Sequence, residues 1–167
     1  IEKGDFNNDG LEDLVLGNLG RNYKYQASKE EPFEVFYDDF DENGNKDIVL
    51  AYYNYGIQFP LRGFSCSSQQ IPELKTKFQK YDLFASLDVE DVYGETNLDN
   101  ALRLHANTFK SVALINNGIN FNSFDLPHQA QLSSINDFIV DDFNNDGNTD
   151  ILLAGNLFTS EVETTRN

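Results

Sequence analysis

Three segments of this 167-residue chain place oxygen-bearing side chains at one repeated spacing. They read DFNNDGLED over residues 5–13, DFDENGNKD over 39–47 and DFNNDGNTD over 142–150. We refer to them as loop one, loop two and loop three, and number their positions 1 to 9. An apolar run typical of a strand follows each loop. Three copies of one pattern in so short a chain indicate a repeated unit and not a chance match.

The spacing suits a hard cation. Oxygen atoms at positions 1, 3, 5 and 9 converge when the backbone turns tightly, and glycine at position 6 allows that turn because it has no Cβ. With the backbone carbonyl of position 7 and either a bidentate final Asp or a water, the set offers about six or seven oxygens, which suits Ca²⁺ better than Mg²⁺ or a transition metal. The predicted side-chain ligands are Asp5, Asn7, Asp9, Asp13, Asp39, Asp41, Asn43, Asp47, Asp142, Asn144, Asp146 and Asp150, and the predicted carbonyl ligands are Leu11, Asn45 and Asn148.

The loops differ from an EF-hand, which begins with a similar pattern. An EF-hand carries a bidentate Glu at position 12, where a helix has begun. Position 12 is here Leu16, Leu50 or Leu153, each within a run suited to a strand. Plain turns between strands remain an alternative, since Asn, Asp and Gly favour turns as well. The agreement of all three loops at every ligand position favours calcium, with up to three sites.

With these loops and the strands after them, the chain resembles the FG-GAP/VCBS repeats of integrin α-subunit-type β-propellers, over roughly residues 1–56 and 110–158. The segment LRGFSCSSQQIP, residues 61–72, resembles part of the bacterial surface proteins that carry such repeats with an ASPIC/UnbV region. The resemblance implies a partial β-propeller with Ca²⁺ in a hairpin loop of each blade. It also implies that the chain is a fragment of a larger bacterial protein.

The strand pattern around the loops predicts a mainly β fold. Residues 33–40 precede loop two and 137–143 precede loop three, while 110–116 and 120–126 flank Asn117-Gly118, a strong hairpin signal. Loop one begins so near the first residue that no strand is expected before it. The predicted fold class is thus mainly β: a partial β-propeller of FG-GAP/VCBS blades with a helical insertion.

The insertion covers residues 57–109. A helical pattern opens at Pro72 and continues to Gly94, a typical helix stop. A further short helix is expected over residues 98–108. The predicted organisation has three parts: two calcium-loop repeats over 1–56, the helical insertion within the propeller over 57–109, and a blade hairpin with the third calcium-loop repeat over 110–167.

Composition excludes several classes of function. Twenty-eight acidic against twelve basic residues give a formal charge of −16, which excludes a nucleic-acid partner. No apolar run approaches the roughly 20 residues of a membrane-spanning helix. The single cysteine, Cys66, excludes an internal disulfide framework. Neither His105 nor His128 has a catalytic partner in the sequence pattern, so no catalytic residue is predicted.

Three functions remain open, and the third of them is a purely architectural part of a larger surface protein with no ligand beyond calcium. The first is a non-enzymatic, calcium-stabilised surface module for adhesion or for glycan or protein binding, placed outside the cell or on a bacterial surface, where Ca²⁺ is abundant. The remaining blades of the parent chain, or a second copy, would cover its open edges. The alternative is part of a propeller enzyme acting on polysaccharide. Convergence of Arg62, Cys66, Tyr81 and His105 in one cleft would favour that alternative.

Two further groups have both a functional and a structural interpretation. Tyr52, Tyr53, Tyr55 and Phe59 suit either glycan stacking or core packing. The only basic cluster, Lys75, Lys77 and Lys80, suits either an anionic ligand or a solvated helix face.

Overall fold

The computed structural model describes residues 1–156. That part of the chain is mainly β, with three antiparallel sheets, none of them closed into a ring. The strands are β1 (Glu2–Gly4), β2 (Asp13–Leu16), β3 (Phe33–Asp38), β4 (Asp47–Asn54), β5 (Ile57–Pro60), β6 (Leu102–Ala106), β7 (Val112–Asn116), β8 (Phe121–Asp125), β9 (Asp137–Asp141) and β10 (Asp150–Ala154). The helices are α1 (Phe64–Gln70), α2 (Leu74–Lys77), α3 (Tyr81–Ala85), α4 (Val89–Tyr93) and α5 (Glu95–Asn100), with a 3₁₀ helix at His128–Gln131. None of these helices has the length and apolar character needed to cross a membrane.

The chain divides into two compact units. Among the described residues, unit one contains 1–24 and 109–156, and unit two contains 25–108. Unit one holds a four-stranded sheet in the order β1-β2-β7-β8 and the hairpin β9-β10. Its buried core consists of Val15, Ala130, Ile135 and Phe138. Loop one joins β1 to β2, and loop three joins β9 to β10, so each loop is the turn of an antiparallel hairpin.

Unit two is a four-stranded sheet in the order β5-β4-β3-β6 with helices packed on one face. Phe36, Val49 and Ala51 face those helices and share a buried cluster with apolar residues such as Leu74 and Val92. Loop two joins β3 to β4. The order of hairpin loop and paired strands is therefore the same for all three loops.

The structure confirms the strands predicted before loops two and three and the hairpin predicted around Asn117-Gly118. The expectation of no strand before loop one is wrong, because Glu2–Gly4 pairs with β2, with Gly4 opposite Asp13. The helical pattern from Pro72 forms three short helices, and the last of them ends at Gly94, whose φ is 86°. Residues 157–167, which end the predicted third part, lie outside the described residues.

The expectation of a helix over residues 98–108 is wrong. Helix α5 ends at Asn100, and Leu102–Ala106 forms strand β6, which pairs with β3. Its residues alternate across the sheet, so Arg103 reaches Glu34 on β3. This long-range pairing overrides the local helical preference. The segment 57–109 thus begins and ends with strands of the unit-two sheet, and its helices lie between them.

Candidate metal-binding loops

The three loops share one backbone conformation. Glycine at position 6 has a positive φ in each: 85° at Gly10, 88° at Gly44 and 86° at Gly147. A side chain at this φ is strained, so glycine is required there as the spacing predicted. Position 4 also has a positive φ, between 55° and 60°, and is occupied by Asn8, Glu42 and Asn145.

The same hydrogen bonds recur in each loop. The Asp at position 1 accepts the backbone N–H groups of positions 5 and 6 at 2.7–3.1 Å. The Asp at position 9 accepts the N–H of position 2 at 3.0–3.2 Å, which closes the loop. The side chains at positions 3 and 5 accept the N–H groups two residues further on. All four predicted side-chain ligands of each loop therefore turn toward the backbone of their own loop.

The position-7 residues, whose carbonyls are the remaining predicted ligands, are held in the same way. Their N–H groups donate to the position-5 side chain at 2.8 Å in every loop. This contact fixes Leu11, Asn45 and Asn148 beside the side chains predicted to bind the ion. The sequence spacing alone predicted the set of ligand residues. The structure adds the hydrogen bonds from backbone N–H groups that orient these residues.

Loop two brings three carboxylates together. Oxygen atoms of Asp39, Asp41 and Asp47 lie within 4.8 Å of one another, the one such group of three in residues 1–156. Burial is the main cause that raises the pKa of Asp47, and the charges of Asp41 and Asp39 raise it further, while the N–H of Phe40 lowers it. A cation bound among these oxygens would neutralise the repulsion. This triad is able to hold a metal ion.

Loops one and three have Asn at position 3 in place of Asp41. Asn7 donates from Nδ2 to Asp9 at 2.8 Å, and Asn144 donates to Asp146 at 3.0 Å. Hydrogen bonds from Asn148, first from its backbone N–H, and from Asn144 lower the pKa of Asp146. These loops share the conformation of loop two but not its carboxylate triad, so calcium binding there stays a prediction.

Loops one and three also contact each other within unit one. The side chain of Asn8, at position 4 of loop one, donates to Oδ1 of Asn148, at position 7 of loop three, at 2.8 Å. The sequence pattern gave no sign of this contact between residues 140 positions apart.

Three of the four residues named for an enzymatic cleft, Arg62, Cys66 and Tyr81, lie on or against α1, and His105 lies on β6. Arg62 donates to Gln70 at 2.6 Å, and the Tyr81 ring packs edge-on against Phe64. Cys66 is an exposed residue of α1, and His105 is an exposed residue of β6 opposite Glu34. Within the described part of the chain, no hydrogen bond or ring contact joins any two of the four. His128 is exposed in the 3₁₀ helix.

The aromatic group after loop two divides between core and surface. Tyr52 packs against Tyr25, with ring centres 4.8 Å apart, and against Phe59, which supports core packing for this side chain. Tyr55 is 98% exposed at the turn between β4 and β5. Its φ of 51° and that of Gly56, 77°, are typical of a two-residue hairpin turn that the sequence analysis missed. A single Tyr-Gly between two strand-like runs was the available signal.

Comparison with known proteins found no matching family model, no matching curated protein and no matching solved structure. The resemblance to FG-GAP/VCBS repeats therefore stays a prediction drawn from the loops.

Proposed function

We propose that this chain is a calcium-stabilised module of an FG-GAP/VCBS-type partial β-propeller, with a Ca²⁺ site in each of its three hairpin loops. The observation that carries this proposal is the carboxylate triad Asp39, Asp41 and Asp47, held in a loop whose hydrogen bonds recur in loops one and three. Oxygen-only ligands of this kind suit Ca²⁺.

Charge explains why calcium would stabilise the fold. Nine of the carboxylates that contribute to the formal charge of −16 lie at ligand positions of the loops, and three Ca²⁺ ions would reduce that charge to −10. Without the ions, the carboxylates within one loop repel each other. An ion that binds only the folded state adds its binding free energy to stability. The role of calcium is then structural.

The module would serve adhesion, or glycan or protein binding, at a bacterial cell surface or outside the cell. Extracellular modules function with calcium affinities of about 10⁻⁴–10⁻³ M, because Ca²⁺ is abundant there. The remaining blades of a longer protein, or a second copy, would cover its open sheet edges. The alternative is part of a propeller enzyme acting on polysaccharide. It is disfavoured because His105 lies on the edge strand β6, whereas Arg62, Cys66 and Tyr81 lie on or against α1, which follows the opposite edge strand β5.

Thermal unfolding in excess EGTA, in millimolar Ca²⁺ and in millimolar Mg²⁺ tests the calcium proposal. At a tenfold excess of Ca²⁺ over a Kd of about 10⁻⁴ M, one filled site adds about 1.4 kcal/mol, so we expect millimolar Ca²⁺ to raise Tm by about 3–6 °C per site. Magnesium should produce a much smaller increase.

Variants of loop two assign the increase of one site to the triad. Asp39→Asn and Asp41→Asn should each remove about one site's share of the total increase, since each neutralises one of the three clustered carboxylates. Glu42→Gln is the matched control, because it removes one charge from the same loop at a position that is not a predicted ligand. No Ca²⁺-specific increase in the wild-type chain would mean that the loops are only turns.

A further inference from the structure

A cavity of about 390 Å³ lies in unit two between α1 and the chain from α2 to α3. This volume is within the range of about 300–1,000 Å³ that small-molecule sites occupy. Helix α1 lies within residues 61–72, a segment that contains none of the predicted calcium ligands. The cavity is therefore a candidate ligand site separate from the loops.

The charge of the cavity lining is opposite to that of the chain. No Asp or Glu among residues 1–156 lines it, although the chain carries a formal charge of −16. Lys75 lines it, and the ammonium of this residue pairs with no described residue. The nearby Lys77 differs, because its ammonium donates to the carbonyls of Asp91 and Val92. Lys75 is thus available to an anionic group of a ligand.

Polar side chains around Lys75 offer hydrogen bonds to ligand hydroxyls. The hydroxyls of Ser65 and Tyr81 lie 3.4 Å apart at the cavity wall. Gln69 and Gln79, which carry side-chain amides, also line the cavity. Hydroxyl and amide groups both donate and accept, so they match the hydroxyls of a sugar.

An aromatic surface completes the lining. The rings of Phe64 and Tyr81 pack edge to face with centres 5.0 Å apart, which holds the Tyr81 ring in place. Tyr81 nevertheless remains 66% exposed. A fixed and exposed aromatic ring provides an apolar face on which a sugar ring can pack.

We propose that this cavity binds a single sugar ring that carries a carboxylate or a sulfate, with the anionic group at Lys75 and the ring against Tyr81. This inference names a ligand class for the glycan-binding role proposed above and rests on that role, but it does not depend on calcium in the loops. The neighbouring cavity of about 450 Å³ is lined by Glu73 as well as Lys77, and its carboxylate makes it less suited to an anion.

Titration of the chain with glucuronic acid, glucose 6-sulfate and unmodified glucose, followed by amide chemical shifts in NMR, tests the proposal. Both anionic sugars should shift amides of α1 and of residues 74–85, and glucose should bind about tenfold more weakly, since it lacks the charged hydrogen bond. The relative affinities of the two anionic sugars show which anion the site prefers. Inorganic sulfate that binds as tightly as glucose 6-sulfate would overturn the role of the sugar ring.

Two lysine variants provide the matched comparison. Lys75→Gln should weaken binding of both anionic sugars about tenfold or more, while Lys80→Gln, which removes an exposed charge outside this cavity, should leave it within about twofold. Tyr81→Leu should weaken binding of all three sugars. No amide shifts with either anionic sugar, or equal affinities for Lys75→Gln and the wild-type chain, would overturn the proposal. A Ca²⁺-dependent Tm that persists in that case would leave the calcium proposal standing.

Discussion

The carboxylate of Asp13 accepts the backbone N–H of Asn116 at 2.7 Å and so joins loop one to strand β7. Its second oxygen accepts the N–H of Phe6 at 3.0 Å. Asp13 is fully buried, whereas Asp9, a second predicted calcium ligand of the same loop, is exposed. Position 9 of loop one therefore has a structural role that requires no metal.

This difference predicts unequal costs in the absence of calcium. Asp13→Ala should reduce the free energy of unfolding in EGTA by about 2–4 kcal/mol, because two N–H groups lose their buried partner. Asp9→Ala should cost less than about 1 kcal/mol, because water replaces its hydrogen bonds. Urea unfolding in EGTA measures both values. Equal losses for the two variants would contradict the structural role of Asp13.

The contact between Asn8 and Asn148 predicts coupling between loops one and three. Because both side chains are exposed, the hydrogen bond should contribute about 0.5 kcal/mol. A double-mutant cycle with Asn8→Ala and Asn148→Ala, measured by urea unfolding, should return a coupling free energy of that size. Asn8→Ala with Asn145→Ala is the control pair and should be additive. Additivity in both pairs would show that the two loops respond independently.

Sequence spacing located the loops and the strands beside them because both depend on local chemistry. Glycine at position 6 and the Asn117-Gly118 turn each satisfy a backbone requirement that few other residues meet. Strand β6 is different, since its conformation depends on pairing with β3, far away in the sequence. The alternation of apolar and polar residues in LRLHA, residues 102–106, was the available signal for a strand, but it does not report which strand is the partner.

The candidate site was predictable in its residues but not in its details. Spacing named positions 1, 3, 5 and 9, yet it did not show that the Asp at position 1 would hold two backbone N–H groups. The positive φ at position 4 had a signal in Asn8 and Asn145, because Asn tolerates that conformation, but none in Glu42. Loop two differs from the other loops by Asp41 at position 3 and Asn43 at position 5, and only the structure shows that Asp41 lies close to Asp39 and Asp47.

The buried carboxylate of Glu34 in unit two makes its half-exposed partner, Arg103, important for stability. Arg103 donates twice to Glu34, at 2.8 and 2.7 Å, and the Glu34 side chain is only 3% exposed. Arg103→Ala should reduce the free energy of unfolding by about 2–4 kcal/mol, because it leaves a buried charge without its cation.

An exposed ion pair gives the control for Arg103. Lys3 and Glu12 are more than half exposed, so Lys3→Ala should cost less than about 1 kcal/mol. Arg103→Lys should restore only part of the loss, because lysine cannot form the paired hydrogen bonds. Urea unfolding at neutral pH measures all three variants. A loss for Arg103→Ala as small as that for Lys3→Ala would mean that Glu34 does not need its partner.

Tyr93 predicts a loss of stability at alkaline pH. Burial is the main cause that raises the pKa of its phenol, whose hydroxyl donates to Ser67 at 3.1 Å. The folded-state pKa lies above the unfolded value of about 10. The stability that Tyr93 contributes is therefore fully present below pH 10 and is lost as pH rises through the folded-state pKa.

Tyr93→Phe should reduce the free energy of unfolding by about 1 kcal/mol at pH 7, because the hydrogen bond is lost. The difference in unfolding free energy between this variant and the wild type should shrink or reverse above pH 10. Urea unfolding between pH 7 and pH 11 measures this, with Tyr55→Phe, at an exposed position, expected to follow the wild-type curve. A constant difference between Tyr93→Phe and wild type across this range would show that ionisation of Tyr93 does not limit alkaline stability.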